Sequence, residues 1–330
     1  MDRRQKLLDG IDVASLLGVE IGPLCFPLLR RTEGSVIYVD HATTEDLQKK
    51  YKNDPSVHVD EIVDVDAVWG QKTLREAVGR SVDYIVASHV VEHVPDLITW
   101  MEELHSVLAP GGEVRLIVPD RRFTFDYLRK ETRIADVLYA YFIKARRPHP
   151  QLVLEFCLNT VKVDCHQAWR GTIDEGAFEH SHNVQRALDV AKMAADGTYV
   201  DVHCWVFTPK SFCELFAELV ERGVMQFECT MFHDTSPDTI EFFIGMRPSN
   251  DTQAALRSWR EAASRAQDFA ITASAPGGQQ EELRDYRKET KELEEALAES
   301  RAALDAMFRS TSWRLTAPLR RIKSLLVPHR

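Results

Sequence analysis

From the amino end, short runs of apolar and β-branched residues alternate with stretches whose apolar positions recur every three or four residues. Gly18-Val19-Glu20-Ile21-Gly22 reads as a strand closed by a glycine, after a short helix or turn over Asp12 to Leu17. Ser35-Val36-Ile37-Tyr38-Val39-Asp40 reads as a second strand, ending in an acid. Thr43 to Tyr51 has helical spacing, with Thr43 or Thr44 as the N-cap ahead of Glu45 and Asp46. A third strand is expected within Val57 to Val65, and a fourth over Val82 to Ser88, whose near-continuous apolar run suits burial on both faces. Pro95 to Leu108 is a helix stopped by Pro110-Gly111-Gly112. Glu113 to Val118 is a fifth strand, ended by Pro119-Asp120. This alternation predicts βαβ units and a mostly parallel sheet.

Residues 121–205 interrupt the rhythm with helical stretches and a His-rich loop, and read as an insertion capping the strand ends. A helix then runs from Thr208 to Glu221, with Thr208 as N-cap and Pro209 at the first helical position. Phe227 to His233 and Thr239 to Met246 are strands joined by a loop too short for a parallel crossover, so they are expected to pair antiparallel. Residues 1–247 thus form one α/β domain. Beyond it the pattern predicts a linker over 248–280 and a helix over 281–309 whose Leu283, Tyr286, Thr290, Leu293, Leu297, Ser300, Leu304 and Met307 form a heptad seam. The last segment, 310–330, is basic and amphipathic: Arg314, Arg320, Arg321, Lys323 and Arg330 interleave with Trp313, Leu315, Leu319 and Ile322.

Across the 330 residues the net charge is −10, which argues against general nucleic-acid binding. The 44% hydrophobic content is that of an ordinary globular core. No apolar run reaches the length of about eighteen residues that a membrane span needs, and no secretory leader is recognisable. The six cysteines lack C-x-x-C spacing, so they read as reduced, buried thiols of a cytoplasmic protein.

Three candidate constellations lie at strand ends, where parallel sheets bind ligands. Gly22 follows the first strand and permits close backbone approach. Asp40 closes the second strand, where a carboxylate can accept both hydroxyls of a ribose. Asp64 and Asp66 lie where the third strand should end, within reach of an adenine amino group. The dinucleotide fingerprint G-x-G-x-x-G is missing, with Leu24 where its second glycine would stand, which lowers a nicotinamide-cofactor reading.

The stretch Asp83-Tyr84-Ile85-Val86-Ala87-Ser88-His89-Val90-Val91-Glu92-His93, followed by Leu108-Ala109-Pro110-Gly111-Gly112, closely resembles the fourth-strand region of class I S-adenosylmethionine-dependent methyltransferases. With Glu20-Ile21-Gly22-Pro23 and Asp40 the resemblance runs in order over about residues 17–120. A narrower likeness is to the "EIG-x-L…P" branch found in bacterial glycan and O-antigen biosynthesis. It is carried by Val118-Pro119-Asp120-Arg121-Arg122-Phe123-Thr124-Phe125-Asp126, by His203-Cys204-Trp205, and by Phe207-Thr208-Pro209-Lys210-Ser211-Phe212. Leu24 and Phe26 depart from the glycines most class I members have. The resemblance implies a Rossmann-like methyltransferase fold, with a mostly parallel seven-stranded sheet and an antiparallel last strand. It also implies S-adenosyl-L-methionine as cofactor and O-methylation of a sugar or glycan in cell-surface polysaccharide synthesis. The alternative is an inactive methyltransferase-like scaffold assembled through the 281–309 helix.

By position, the resemblance puts Glu20, Gly22 and Pro23 against the methionine part of the cofactor. Asp40 then falls on the ribose, Asp64 or Asp66 near the adenine, and Ser88 and His89 on the pocket wall. His89, His93 and His203 are candidate general bases, with Asp120 as a carboxylate alternative. His180, His182 and Asp201 or His203 have only chance-level spacing for a metal, so no metal is expected. Expected partners are a small-molecule or glycan substrate, an anionic membrane face for 310–330, and a second copy or a glycosyltransferase for 281–309. The expected location is therefore cytoplasmic, peripheral at the inner membrane face.

Overall fold

The computed structural model describes residues 1–70 and 72–267. The heptad helix expected over 281–309 and the basic tail over 310–330 lie outside the described residues. Seven strands form one sheet in the order β3-β2-β1-β4-β5-β7-β6. They are β1 (Leu17–Ile21), β2 (Ser35–Asp40), β3 (Ala67–Val68), β4 (Val82–Ser88), β5 (Leu108–Pro119), β6 (Phe227–His233) and β7 (Glu241–Pro248). The first five are parallel, and β7 runs antiparallel to both β5 and β6. The mostly parallel sheet and the antiparallel hairpin read from the sequence are both present.

The sheet forms because its central strands are apolar on both faces. Ile85, Val86 and Ala87 of β4, and Leu116, Ile117 and Val118 of β5, are all buried. The described helices are α1 (Arg3–Leu7), α2 (Thr44–Tyr51), α3 (Leu74–Val78), α4 (Leu97–Val107), α5 (Ile134–Phe142), α6 (Pro150–Asn159), α7 (Cys165–Arg170), α8 (Val184–Ala195), α9 (Pro209–Glu221) and α10 (Thr252–Arg265), of which α3, α4, α5, α9 and α10 share one core cluster with the sheet and α1 another. Their starts follow side-chain chemistry. Thr43, Thr73, Asp96 and Thr208 each accept a hydrogen bond from a first-turn backbone N–H, which satisfies donors the helix cannot pair internally.

Two expected elements fall elsewhere. The third strand is not within 57–65 but at Ala67–Val68. Thr44 Oγ1 donates to the Val63 carbonyl and accepts from the Val65 N–H. Those backbone groups are thereby captured by the start of α2 and cannot join a ladder. Ile62 meanwhile packs with Cys25 and Leu47 in a side cluster. The linker expected over 248–280 opens with α10. Its Ala255, Leu256, Trp259 and Ala262 are buried at helical spacing, and Trp259 Nε1 donates to the Phe227 carbonyl at 2.8 Å.

The insertion supplies α5 to α8. Helices α6 and α8 share a small core of Val153, Cys157, Ala187, Val190, Ala191 and Val202. The segment that returns from this insertion, Val202 to Thr208, passes beside the loop after β4. Cys204 N–H donates to the Glu92 carbonyl at 2.6 Å, and Trp205 Nε1 donates to the Val94 carbonyl at 2.7 Å. Two motifs over a hundred residues apart in the chain are thereby locked together.

Candidate functional site

Strand order reverses between β1 and β4, because β1 leads outward to β2 on one side while β4 leads to β5 on the other. The carboxyl ends that flank this switch point carry Gly22, Asp40, Ser88 and His89.

Gly22 has φ +67°, and a Cβ there would lie 3.1 Å from Val90 Cγ2. Glycine is thus favoured twice over, by the left-handed backbone and by the close approach of the β4 loop. Leu24 also adopts a left-handed φ of +47°. The loop keeps a conformation glycine prefers although a leucine occupies it, and Leu24 is retained by packing on Cys25, Leu47 and Ile62. Pro23 is buried and accepts from the Phe26 N–H, while Phe26 itself is exposed.

Asp40 is 7% exposed at the end of β2. Its Oδ1 accepts from the His41 N–H at 2.7 Å and lies 2.6 Å from His41 Nδ1. Among the described residues no hydrogen bond reaches Oδ2, so one oxygen of a nearly buried carboxylate remains for a ligand hydroxyl.

Glu20 has a different part from the expected contact with the cofactor's methionine end. Its carboxylate is buried and accepts from the backbone N–H of Leu28 at 2.8 Å and of Leu29 at 2.8 Å. It positions the loop that carries Gly22 to Pro27 instead of facing a ligand. Burial pushes its pKa from 4.5 up to about 7, against the pull of those two backbone N–H groups.

Asp64 and Asp66 also lie off the ligand edge. Asp66 precedes β3, where its Oδ2 accepts from Tyr38 N–H at 2.7 Å and from Arg31 Nη2 at 2.8 Å. Asp64 is exposed, and its backbone carbonyl accepts from Arg31. The residues at that edge are Val68, paired in register with Asp40, and Trp69, whose N–H donates to the Asp40 carbonyl at 2.7 Å. The misplaced third strand concealed them from sequence reading.

Asp120, a candidate base, is fully buried and saturated. Its Oδ2 accepts from Thr235 Oγ1 at 2.7 Å and Arg122 Nη2 at 2.7 Å, and its Oδ1 accepts from Arg122 N–H. It anchors the chain after β5, with both oxygens engaged by Arg122 and Thr235.

The three histidines are brought together. His89 follows β4 with φ +52°, and its N–H donates to the Ile117 carbonyl. Its Nε2 lies 2.8 Å from Glu241 Oε2, and its Nδ1 lies 3.6 Å from Glu92 Oε1. Arg3 of α1 completes this mouth, donating to Glu241 Oε1 at 2.6 Å and to Ser88 Oγ at 2.7 Å. Burial alone would raise the Glu241 carboxyl, but the bonds from His89 and Arg3 outweigh it and hold the group low. His203 is buried, with Nδ1 2.6 Å from Asp126 Oδ2. His93 Nδ1 lies 2.9 Å from Asp201 Oδ1. Burial depresses the His93 imidazole, yet the bond to Asp201 and the nearby Glu92 charge leave it raised. The rings of His93 and His203 meet edge to face with centroids 4.7 Å apart.

Arg3, Glu241 and Trp69 escaped the sequence reading, because no local motif marks them. Glu92 and Asp126 lie inside the motifs but carry no local mark of a role, and Asp201, weighed only as a metal ligand beside His180 and His182, pairs instead with His93. His180 and His182 sit apart on the insertion, where His180 Nδ1 meets the Leu158 carbonyl.

Residues 35–219 match a family described as "Methyltransferase domain". No curated protein sequence matches the chain. Among solved structures, a DhpI complex with SAH is similar at 14% identity and TM-score 0.34, over 71% of this chain and 77% of that one. The CcbJ methyltransferase from Streptomyces caelestis is similar at 12% identity and TM-score 0.37, over 75% and 89% of the two chains. A protein from Listeria monocytogenes described as a putative S-adenosylmethionine-dependent methyltransferase gives 13% identity and TM-score 0.37, over 75% and 96%.

Proposed function

The chain belongs to the methyltransferase-domain family, and from that premise we propose that it transfers a methyl group from S-adenosyl-L-methionine to a hydroxyl of a sugar or glycan, with His89 as general base. The methyl donor is a sulfonium nucleoside, and when bound it supplies an electrophilic methyl and a neutral leaving group. The site has the features such a nucleoside needs. Gly22 leaves bare backbone at the switch point, Asp40 offers a carboxylate oxygen for the ribose diol, and Val68 and Trp69 give an apolar edge beside it for the base. Fold alone does not assign a reaction, so the acceptor has to be argued from side chains.

The single observation that carries the hydroxyl acceptor is the pairing of His89 with Glu241. With Nε2–H donating to Glu241, the Nδ1 lone pair is free to receive a proton from an acceptor hydroxyl. Arg3 holds Glu241 as a carboxylate and so fixes that tautomer. The ring needs no rearrangement before it acts, and most of the remaining catalytic work is positioning. Phe125, 40% exposed and 4.7 Å from the His203 ring, adds an aromatic face of the kind a sugar's C–H surface covers.

Two measurements test the reading. His89→Gln should lower kcat by about 10² to 10⁴ while S-adenosylhomocysteine still binds as in the wild type. An unchanged kcat removes His89 from the role. Mass spectrometry of surface polysaccharide from cells with and without the gene should show the loss of one methyl group per modified sugar, and identical spectra would exclude a glycan acceptor.

A further inference from the structure

Beside the proposed base lies a group whose environment the transfer reading leaves unexplained. Glu92 is 0% exposed, and neither carboxylate oxygen has a hydrogen-bond partner. Most buried polar atoms in folded proteins are hydrogen-bonded, and a buried carboxylate with the imidazoles of His89 at 3.6 Å and His203 at 4.0 Å, both beyond hydrogen-bond distance, points to a cation it can share. The placement is enforced by the backbone, since the Glu92 carbonyl accepts from the N–H groups of Cys204 at 2.6 Å and Trp205 at 3.2 Å.

We propose that Glu92, His93 and His203 bind one divalent transition-metal ion of the zinc class. One ligand atom from each residue can be chosen so that all three lie within 4.8 Å of one another. His203 Nε2 is 4.0 Å from Glu92 Oε1, too far for a hydrogen bond. Two bonds of about 2.1 Å to a shared ion span roughly 3.4 Å at the tetrahedral angle, so ligand atoms that lie within 4.8 Å of one another have to draw in by up to about 1.4 Å to close the site. The outer nitrogens are already committed. His203 Nδ1 meets Asp126 at 2.6 Å and His93 Nδ1 meets Asp201 at 2.9 Å. A carboxylate on the far nitrogen of each imidazole fixes the tautomer, leaves the other nitrogen unprotonated, and raises its basicity as a ligand. Asp126 is itself held by the buried Arg129 at 2.8 Å.

Two imidazoles and one carboxylate favour zinc or cobalt over magnesium or calcium, which prefer all-oxygen sites. Three protein ligands also leave a coordination position open. This ion binding is a property of the chain and does not depend on the methyl-transfer reading.

The test uses the full chain, stripped with chelator and titrated with Zn²⁺ by calorimetry, and with Co²⁺ by visible absorption. The wild type should take up one ion per chain and give the intense visible bands of tetrahedral or five-coordinate cobalt. Glu92→Gln, close in shape, should weaken binding by at least 10-fold. Asp201→Asn, at a half-exposed position, should weaken it by about 10- to 100-fold through His93. His166→Gln, in an exposed pair with Asp238, should leave binding as it was. Thermal midpoints and circular dichroism establish that each variant is folded. Absence of stoichiometric binding by the wild type overturns the proposal, as does equal affinity in the wild type, Glu92→Gln and Asp201→Asn.

Discussion

Replacing Glu20 by glutamine tests whether that side chain serves the loop or the ligand. In the folded chain burial pushes the Glu20 carboxyl to about 7, from 4.5 when exposed. A folded-state pKa above the unfolded value means that the fold prefers the protonated form. The associated stability is complete below about pH 4.5 and is lost as the pH rises through 7. Across that window the wild type should lose about 3 kcal/mol from this one group, at roughly 1.4 kcal/mol per pH unit of separation. Glutamine keeps a carbonyl oxygen for the Leu28 and Leu29 N–H groups and cannot ionise. Its curve of stability against pH should lack this component. For a domain of this size the difference is about 6–10 °C in Tm. The assay is thermal unfolding by circular dichroism at intervals from pH 5 to 8.5. The Glu20→Gln Tm minus the wild-type Tm should climb by that amount across the range, whatever its value at pH 5. Parallel curves would refute the reasoning, and an unfolded variant at every pH would show that the charge itself is needed.

Gly22→Ala should destabilise the fold by about 1–2 kcal/mol from its left-handed backbone and weaken donor binding, as read by urea denaturation and calorimetry. Trp259→Ala should cost about 3–5 kcal/mol, because α10 belongs to the domain, and a loss below 1 kcal/mol in the same denaturation assay would return 248–267 to the status of a linker. Arg3→Ala removes one of the two groups that keep Glu241 ionised. The acidic limb of the kcat/KM profile should therefore move to higher pH, and an unmoved limb would detach α1 from the site.

Most of the fold was legible because its signals are local. β2 and β6 fall where the pattern put them, and β4 ends at Ser88 as read, since each is an uninterrupted apolar run bounded by polar residues. The third strand was misread because Val57, Val59, Ile62, Val63 and Val65 look strand-like, while Thr44, distant in sequence, takes their backbone partners. Helix α10 is hidden in an alanine-rich stretch, where its buried stripe of Ala255, Leu256, Trp259 and Ala262 holds only two large apolar side chains. The candidate site divides the same way. That Gly22, Asp40, Ser88 and His89 lie at strand ends beside the switch point follows from the strand pattern alone. Glu20, Asp66 and Asp120 are carboxylates of the expected type whose oxygens are taken by backbone or by arginine, which spacing does not reveal. Arg3 and Glu241 meet His89 only because α1 and the start of β7 fold beside the end of β4. Among the described residues no helix is long and apolar enough to cross a membrane.

The nucleoside site at the switch point is tested most directly by titrating the full chain and its Asp40→Asn variant with S-adenosylhomocysteine in a calorimeter. One equivalent should bind to the wild type, and Asp40→Asn should lose about 10- to 100-fold in affinity, the worth of hydrogen bonds to a charged acceptor. His89→Gln should bind it like the wild type. No heat from the wild type, or equal affinity with and without the Asp40 carboxylate, would contradict the account.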